Sequence, residues 1–591
     1  MKNNINKIVE EIKTKRWIHY LIITVIGILV SIPFLWMQIY LSDDGKFHLL
    51  RLIGLDNSME YGTFPFLVFP FFCNDWGYSM MTFYPPLVTY IPYILGLISG
   101  AFSTGLKLFG CFTTIFSGIF MYNFINEVTK KKGIALFSAI LYMIFPYRFE
   151  CLFNRYAIGE FTAFVFIPIV FQGLYNLLHG DKKRHFYIAI GATGLLLTHT
   201  ISTLYTAFFC LIYVLFNAKL FFNKEVIKKC VINVVFILLM SAMFLIPMLE
   251  FKFSAEYSIL QPEIMKTNAE SVSAKTIKPI QFLKDIEEDG VSFVVGIPFI
   301  TMLFLGILAY NQIEKGHKKL YLTFIILGTI STIMCTYIFP WKFMPDFMCT
   351  LQYPWRLLGF ACFFFTPVCA MNIYYLIKSI DKRWPRNIIF VLAIIITTSF
   401  TIMELKQYPV DDTSQDARYE EEKIENPQIN YFSINRDNMP KKALRHQFNY
   451  LKTREDNTAI VSGNVNIVNE NKEALHMEIE IEDAEKDTQL ELPFLYYPGY
   501  TITLENGENV VELEYYESEY GFIQISLPDD IGTGKITVDY TATILEKTAY
   551  AISGISIIVF IAYVIWFRKK CEQKGHSNLS TVDNKKETNE R

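Results

Sequence analysis

A polytopic α-helical membrane domain with a β-rich domain in the C-terminal half is the fold class this chain predicts, and three observations predict it. The 591 residues are 52% hydrophobic, 16% aromatic and only 19% charged, where a soluble enzyme carries about a quarter charged. Apolar runs long enough to cross a bilayer recur along 17–405 and return once at 549–567. Between them, residues 406–548 turn polar, and from Val465 onward apolar and polar side chains alternate with the period of strands.

Twelve crossings are predicted, at 17–41, 104–126, 133–149, 160–178, 185–200, 201–218, 229–249, 291–311, 319–339, 356–379, 387–405 and 549–567. The first follows Lys13, Lys15 and Arg16, lacks a small-residue cleavage site and is long for a signal peptide, so it reads as a retained span. Loops rich in Lys and Arg stay cytoplasmic. Lys130 to Lys132, Lys182 to Arg184, Lys224 with Lys228 and Lys229, Lys318 with Lys319, Lys382 with Arg383, and Arg568 to Lys570 all fall on one side if only one crossing lies between residue 42 and Lys130. The piece 84–100, with Pro85, Pro86 and Pro92, is therefore predicted to be re-entrant or surface-lying within a large first outer loop, 42–103. This layout divides the chain into a transmembrane domain at 1–405, an extracellular domain at 406–548, a final span at 549–567 and a polar, disordered cytoplasmic tail at 568–591. Both termini lie in the cytoplasm, and the cell membrane is the predicted location.

Composition and charge placement exclude several functions. A net charge of -3 leaves no basic face for nucleic acid. The ten cysteines are scattered, with none in 406–548, which argues against a disulfide framework. Charged residues sit at span ends, as with Glu160, Glu250, Arg356 and Glu404, rather than at the midplane where ion-coupled transporters hold them. No glycine-rich phosphate loop with its lysine is present, so energy for a reaction must arrive with the substrate.

Polar residues on the predicted outer face fall in 42–103, Arg148 to Glu160, His199, Glu250 to Gly290, Phe339 to Arg356, and 406–548. Asp43, Asp44, His48 and Arg51 follow directly on the first apolar run. The spacing of Asp44, His48 and Arg51, four and then three, puts a carboxylate, an imidazole and a guanidinium on one stripe of a helix starting near Asp43. The competing reading is that both aspartates cap that helix at the water interface. Similar alternatives hold elsewhere: Glu160 could complement a helix dipole, His199 could be a satisfied interfacial residue, and Arg148, Arg155 and Arg356 could anchor to lipid headgroups. The loop 250–290, carrying Lys252, Lys266, Lys275, Lys278 and Lys284, has the length and polarity of a lid.

In the outer domain the stretch up to about 460 is charged and irregular. Strands are predicted around Met477, Ile479 and Ile481, Leu490 and Leu492, Ile523, Ile525 and Leu527, and Ile536, Val538 and Tyr540. Turns at Asn506-Gly507 and Gly532-Thr533-Gly534 separate some of them. An antiparallel β-sandwich follows. Its many tyrosines could orient a glycan acceptor, or simply pack.

The run Asp44-Gly45-Lys46-Phe47-His48-Leu49-Leu50-Arg51, then Tyr61 to Pro65, Gly77-Tyr78 and Phe83 to Leu87, resembles the first outer loop of bacterial multi-pass proteins called "6-pyruvoyl-tetrahydropterin synthase-related". These are similar in turn to membrane glycosyltransferases of the GT-C type. The resemblance continues through Pro146-Tyr147-Arg148, Arg155 to Glu160, Leu197-Thr198-His199, Leu245 to Pro247, Gln352 to Arg356, and Leu492 to Phe494 with Tyr496 to Tyr500. Pterin chemistry is not expected, because that chemistry needs three clustered zinc-binding histidines and the nine here are scattered.

What the GT-C resemblance implies is transfer of a sugar from a polyprenyl-phosphate carrier to a cell-envelope glycan or glycopolymer acceptor at the outer face of the bilayer. Asp44 is then the base that takes the acceptor's proton, with Asp43 as its alternate. His48, Arg51, Arg155, Arg356 and His199 are the candidates for substrate and phosphate binding. Glu160 with Asp44 is a candidate Mg²⁺ or Mn²⁺ pair, since hard oxygens suit those ions. The alternative reading is a non-catalytic scaffold or lipid-translocation partner in envelope polysaccharide assembly.

Overall fold

The computed structural model describes residues 15–283, 293–378, 380, 382–404, 414–426, 436–445, 448–529 and 531–589. Among these, seven helices are long and apolar enough to cross a membrane: Arg16–Leu35, Phe102–Thr129, Ile158–Leu178, Lys315–Cys335, Pro354–Lys378, Trp384–Met403 and Ile544–Lys569. Two bent helix pairs reach the same length and apolarity only when taken together, as a broken span or a re-entrant loop would. Lys132–Met143 joins Pro146–Asn154 with a bend of 47°, and Lys224–Met240 joins Ala242–Ser254 with a bend of 69°. The first break falls where Pro146 opens the new helix, since proline has no amide to continue the old one.

Seven elements, or nine if each bent pair is one span, qualify by length and composition among the described residues, against the predicted twelve. The runs at 185–200, 201–218 and 291–311 fold as the shorter helices Tyr187–Leu196, Thr200–Leu215 and Ile297–Gln312. The longest of these, at about 24 Å, falls short of a hydrocarbon core about 30 Å thick. Apolar composition alone could not reveal that difference. The piece 84–100 is also short, a helix over Leu87–Ser99 that ends at Gly100 in the left-handed conformation and folds back on Phe102–Thr129.

Two helices form the centre of the bundle. Ile158–Leu178 and Pro354–Lys378 are each 89% buried over their apolar windows, against 11% for Trp384–Met403 and 17% for Ile544–Lys569. Phe171 packs on Phe363 and Phe364 between the two central helices. Their N-terminal ends carry Glu160 and Arg356, so the most rigid part of the fold presents both side chains at one end.

The C-terminal half contains nine strands: β1 (Ala459–Ser462), β2 (Asn466–Glu473), β3 (His476–Ala484), β4 (Gln489–Leu495), β5 (Tyr500–Asn506), β6 (Asn509–Glu512), β7 (Tyr515–Glu517), β8 (Phe522–Ser526) and β9 (Gly532–Tyr540). They form a four-stranded sheet, β1-β4-β8-β7, and a five-stranded sheet, β2-β3-β9-β5-β6, with every pairing antiparallel. Met477, Ile479 and Ile481 are buried, as their alternation requires, and they share one core with Leu490, Leu492 and Ile525 of the other sheet. Asn506-Gly507 makes the β5–β6 turn. Gly532-Thr533-Gly534 does not make a turn. It is the start of β9, where Gly534 pairs with Ile481.

The irregular reading of the stretch before 460 is corrected at Ser414–Glu425, Lys441–Arg445 and Phe448–Thr453, which are helical. Residues 405–413, 427–435 and 446–447 lie outside the described residues. The β domain rests on the loop that follows Asp44. Trp76 meets Phe522 edge-on at 5.1 Å, its carbonyl accepts from the Leu495 amide at 2.9 Å, and Asn438 donates to the Ser79 carbonyl at 2.7 Å.

Candidate functional site

The site is assembled from three turns. In the first, a short helical turn over Ile39–Leu41 leads through Ser42 to Asp43 and Asp44, after which the helix Gly45–Tyr61 begins. Gly45 is needed here, because a Cβ would lie 1.8 Å from the Ile39 carbonyl oxygen. Asp44 occupies the N-cap position of that helix, yet its side chain makes no capping hydrogen bond. The capping reading therefore does not account for it, and its carboxylate is left for other work.

The second turn follows the bent span. Helical residues Pro146–Phe149 widen into a π turn over Glu150–Asn154, and Arg155 comes next. Main-chain bonds tie the two turns together: the Asp43 amide donates to the Asn154 carbonyl at 3.1 Å and the Asp44 amide to the Arg155 carbonyl at 2.9 Å. The third turn is Gln352 to Arg356, at the head of the second central helix.

Glu160 sits where these turns meet. One carboxylate oxygen accepts from the Tyr147 hydroxyl. The other accepts from Arg155 Nη1 at 3.0 Å and lies 3.9 Å from Arg356 Nε. The Arg155 guanidinium stacks over Trp355 at 4.5 Å, and Arg356 over Tyr353 at 5.3 Å. Arg356 donates through Nη1 to the Leu351 carbonyl at 3.0 Å, while its buried Nε has no hydrogen-bond partner. Such a donor is costly to leave unmatched and is ready to meet an anion.

Asp44 is half-buried beside this cluster. Burial pushes its carboxyl above the usual carboxylate range. Arg155 and Arg356 pull it back, while Asp43 and Glu160 push the same way as burial. Asp43 is more exposed and is likewise raised by burial, opposed by Arg155. The two aspartates, Arg155, Glu160 and Arg356 thus form one electrostatic unit.

His199 joins them from a fourth direction. Its ring caps the helix Thr200–Leu215, with Nδ1 2.7 Å from the Ser202 hydroxyl and accepting from the Ser202 amide at 3.3 Å. Gly159 permits its approach, since a Cβ there would stand 2.8 Å from the His199 ring. The satisfied-interfacial reading of His199 accounts for one ring nitrogen.

His48 and Arg51 follow Asp44 in helical register, with the His48 amide donating to the Asp44 carbonyl at 3.0 Å, yet of the three only Asp44 is left partly exposed. His48 and Arg51 turn into the packed interior. Arg51 is 1% exposed, with its guanidinium 4.0 Å above the Tyr84 ring and Nη1 3.5 Å from His48 Nδ1. Burial draws Arg51 down to about 10, and burial with Arg51 alongside keeps His48 well below its ordinary value. Asp44 is the N-cap, at the open end of the helix, whereas the positions one and two turns on are covered by Tyr84 and Tyr156. Arg148 is displaced further. It is fully buried, donating to the Thr114 hydroxyl at 2.9 Å and to the Met143 carbonyl at 3.4 Å, which removes it as a headgroup anchor.

The carboxylates do not suit a divalent ion. Both oxygens of Glu160 are engaged by Tyr147 and Arg155, and no group of three or more His, Cys, Asp or Glu side chains is placed to hold a metal among the described residues. No step below is routed through Mg²⁺ or Mn²⁺.

Sequence reading left Tyr147, Trp355 and Tyr84 out of the site, although all three lie in the motifs quoted above. An aromatic next to an arginine carries no signal of its own until the partner is known. The loop 250–290 is docked on the third turn: Lys275 Nζ lies 4.2 Å above the Tyr353 ring and Gln352 donates to the Met265 carbonyl at 3.4 Å. Lys284 lies outside the described residues.

No family model matches this chain. A protein of Lactococcus lactis subsp. cremoris (strain MG1363), named only as an uncharacterized protein, is 24% identical over 596 residues, covering 94% of this chain and 96% of its own. Among solved structures, the single-particle cryo-EM structure of the arabinofuranosyltransferase AftD from Mycobacteria matches with a TM-score of 0.42 and 12% identity, over 66% of this chain and 26% of that one. This chain thus spans about a quarter of that protein's length.

Proposed function

We propose that this chain is a GT-C-type glycosyltransferase of the cell membrane, moving a sugar from a polyprenyl-phosphate carrier to a cell-envelope acceptor at the outer face. The observation that carries the reading is the convergence of Asp44, Arg155, Glu160 and Arg356 at the head of the two most buried helices. A base whose carboxylate does no capping stands beside an arginine whose Nε is unmatched. Both central helices point their N-terminal ends at this place, and that end of a helix favours anions.

Asp44 accepts the proton of an acceptor hydroxyl as its oxygen bonds to the anomeric carbon. The bond from that carbon to the carrier phosphate oxygen breaks, and the electron pair leaves with the polyprenyl phosphate. Arg356, with Arg155 behind it, receives the growing charge on the phosphate. Glu160 is a positioning residue: it lies within ion-pair distance of both guanidiniums and offsets the cost of burying Arg155. The β domain lies over the first outer loop, where it can bring a glycan acceptor toward Asp44.

The polyprenyl carrier, the outer location and the resemblance to pterin synthase-related proteins rest on the motifs and on the basic loops. The experiment is transfer in vitro by the purified chain from synthetic polyprenyl-phosphate sugars to envelope glycans, wild type against Asp44→Asn. Transfer that is present in wild type and lost in the variant supports the reading. Equal transfer by both removes Asp44 as the base, and carrier movement across liposomes without transfer by either favours the translocation partner.

A further inference from the structure

The end of the bundle opposite this site holds a second feature with ligand chemistry. Leu358–Lys378 starts beside Arg356 and runs for 21 residues, so Lys378 stands about 30 Å away. Lys132 lies at the same end, at the start of the bent span whose other end precedes Arg155. Between these two helices and Arg383–Glu404 runs a groove of about 610 Å³.

Its walls divide into two kinds. Phe137, Ile140, Phe390 and Ile394 make an apolar trough, while Lys132, Lys378 and Arg386 stand at its basic end. The Arg383–Glu404 helix is pinned to the bundle through Thr401, which donates to the Ile144 carbonyl at 2.9 Å, and through an edge contact of Phe390 with Phe137 at 5.1 Å. Its remaining apolar side chains are open, with Val391 54% and Ile395 53% exposed. Glu314 is the carboxylate paired here. It already meets Lys131 at 3.0 Å and Lys378 at 3.4 Å, and Arg386 makes no ion pair among the described residues. His19, 4% exposed and stacked on Tyr122, also lines the groove.

We infer that this groove is a binding site for an anionic phospholipid, its phosphate held by Lys132, Lys378 and Arg386 and one acyl chain laid along Phe137 and Phe390. Charge complementarity selects the headgroup: among the described residues Lys378 shares its carboxylate, Glu314, with Lys131, and Arg386 has no ion pair, which favours an anion. Apolar walls select a lipid over a free ion, because a soluble phosphate gains nothing from the trough. Basic pockets between spanning helices bind anionic headgroups in this way.

The test uses the full chain in detergent and native mass spectrometry with dioleoyl phosphatidylglycerol or dioleoyl phosphatidylcholine. Wild type should retain the anionic lipid in preference to the zwitterionic one, and K132Q/K378Q/R386Q should lose that preference, at about fivefold per cation removed. R386Q alone, on a lightly packed helix that should keep its fold, should lower retention about fivefold. A triple variant or R386Q that keeps the wild-type preference overturns the proposal. So does displacement of the phosphatidylglycerol by millimolar inorganic phosphate, which would identify an ion site. K182Q/K183Q/R184Q, at a separate basic cluster, should leave the preference intact; its loss there would show general surface charge and also overturn the proposal.

Discussion

The Asp44 amide donates to the Arg155 carbonyl oxygen at 2.9 Å, so the proposed base and the cation beside it are locked together by main chain. Neither side chain is consumed in holding that geometry. Arg155 spends its guanidinium on Glu160 at 3.0 Å and on the Trp355 ring, so of the two it is the Asp44 carboxylate that is left open to substrate.

Asp44→Asn should remove the base without disturbing this lock. Transfer should fall about 10² to 10⁴-fold, while the unfolding temperature stays near that of wild type. A fall in both would place Asp44 among the structural residues.

The acid limb of the rate profile should lie above the range of an ordinary carboxylate, because Asp44 is raised by burial more than its arginine neighbours lower it. The base works only when ionised, so activity should rise with pH through that elevated value. Stability should move the opposite way. A carboxyl raised in the folded state contributes stability below its unfolded pKa of about 3.9, and this is lost as pH climbs through the folded value. Rate and unfolding measured across that window check both signs, and Asp44→Asn should flatten both.

Arg356→Lys keeps the charge but removes the fork. Hydrogen bonds to charged groups are worth about 1.5–3 kcal/mol, so kcat should fall about tenfold or more, and kcat/KM for donor and acceptor with it, because the lost contact is one to the departing phosphate. Steady-state kinetics with each substrate varied would show it.

Glu160→Gln should act mainly on folding. Arg155 and Glu160 have side chains only 6% exposed, and stripping one partner from such a pair costs about 3–5 kcal/mol. A large drop in unfolding temperature is expected, with transfer per folded molecule reduced less than in Asp44→Asn.

Asp416→Asn tests a contact far away in sequence. The Asp416 carboxylate accepts from the Ile39 amide at 2.9 Å and the Tyr40 amide at 3.3 Å, and pairs with Lys107 at 3.4 Å. Four residues on, Glu420 accepts from the Ser103 amide at 3.0 Å, capping Phe102–Thr129. The helix Ser414–Glu425 thus braces the turn leading to Asp43. Its buried ion pair puts the cost of the substitution at about 3–5 kcal/mol, read by thermal unfolding, and activity should fall through a loosened Asp44.

Membrane character and the β-rich region were legible in the sequence, because composition, apolar run length and the period of two are local properties. Strand assignments around Ile479, Leu490, Ile525 and Ile536 stand on that period alone. Helix length was less legible: 185–200 and 201–218 are apolar enough for spans but fold as shorter pieces. Burial was not legible at Arg51 either, since the Tyr84 ring that covers it comes from a later segment of the chain. Asp416 gave no local sign at all, because its partners are 376 and 377 residues away.

The sequence by itself determined that this chain is a membrane protein with polar turns between its apolar runs and a β-rich C-terminal half, since hydrophobicity and periodicity follow from residue order. Only the tertiary structure decided that Asp44, Arg155, Glu160, His199 and Arg356 share one electrostatic unit while His48, Arg51 and Arg148 are withdrawn into the packed interior. Charges act through distance in space, and those distances are set by how helices pack and where each one starts.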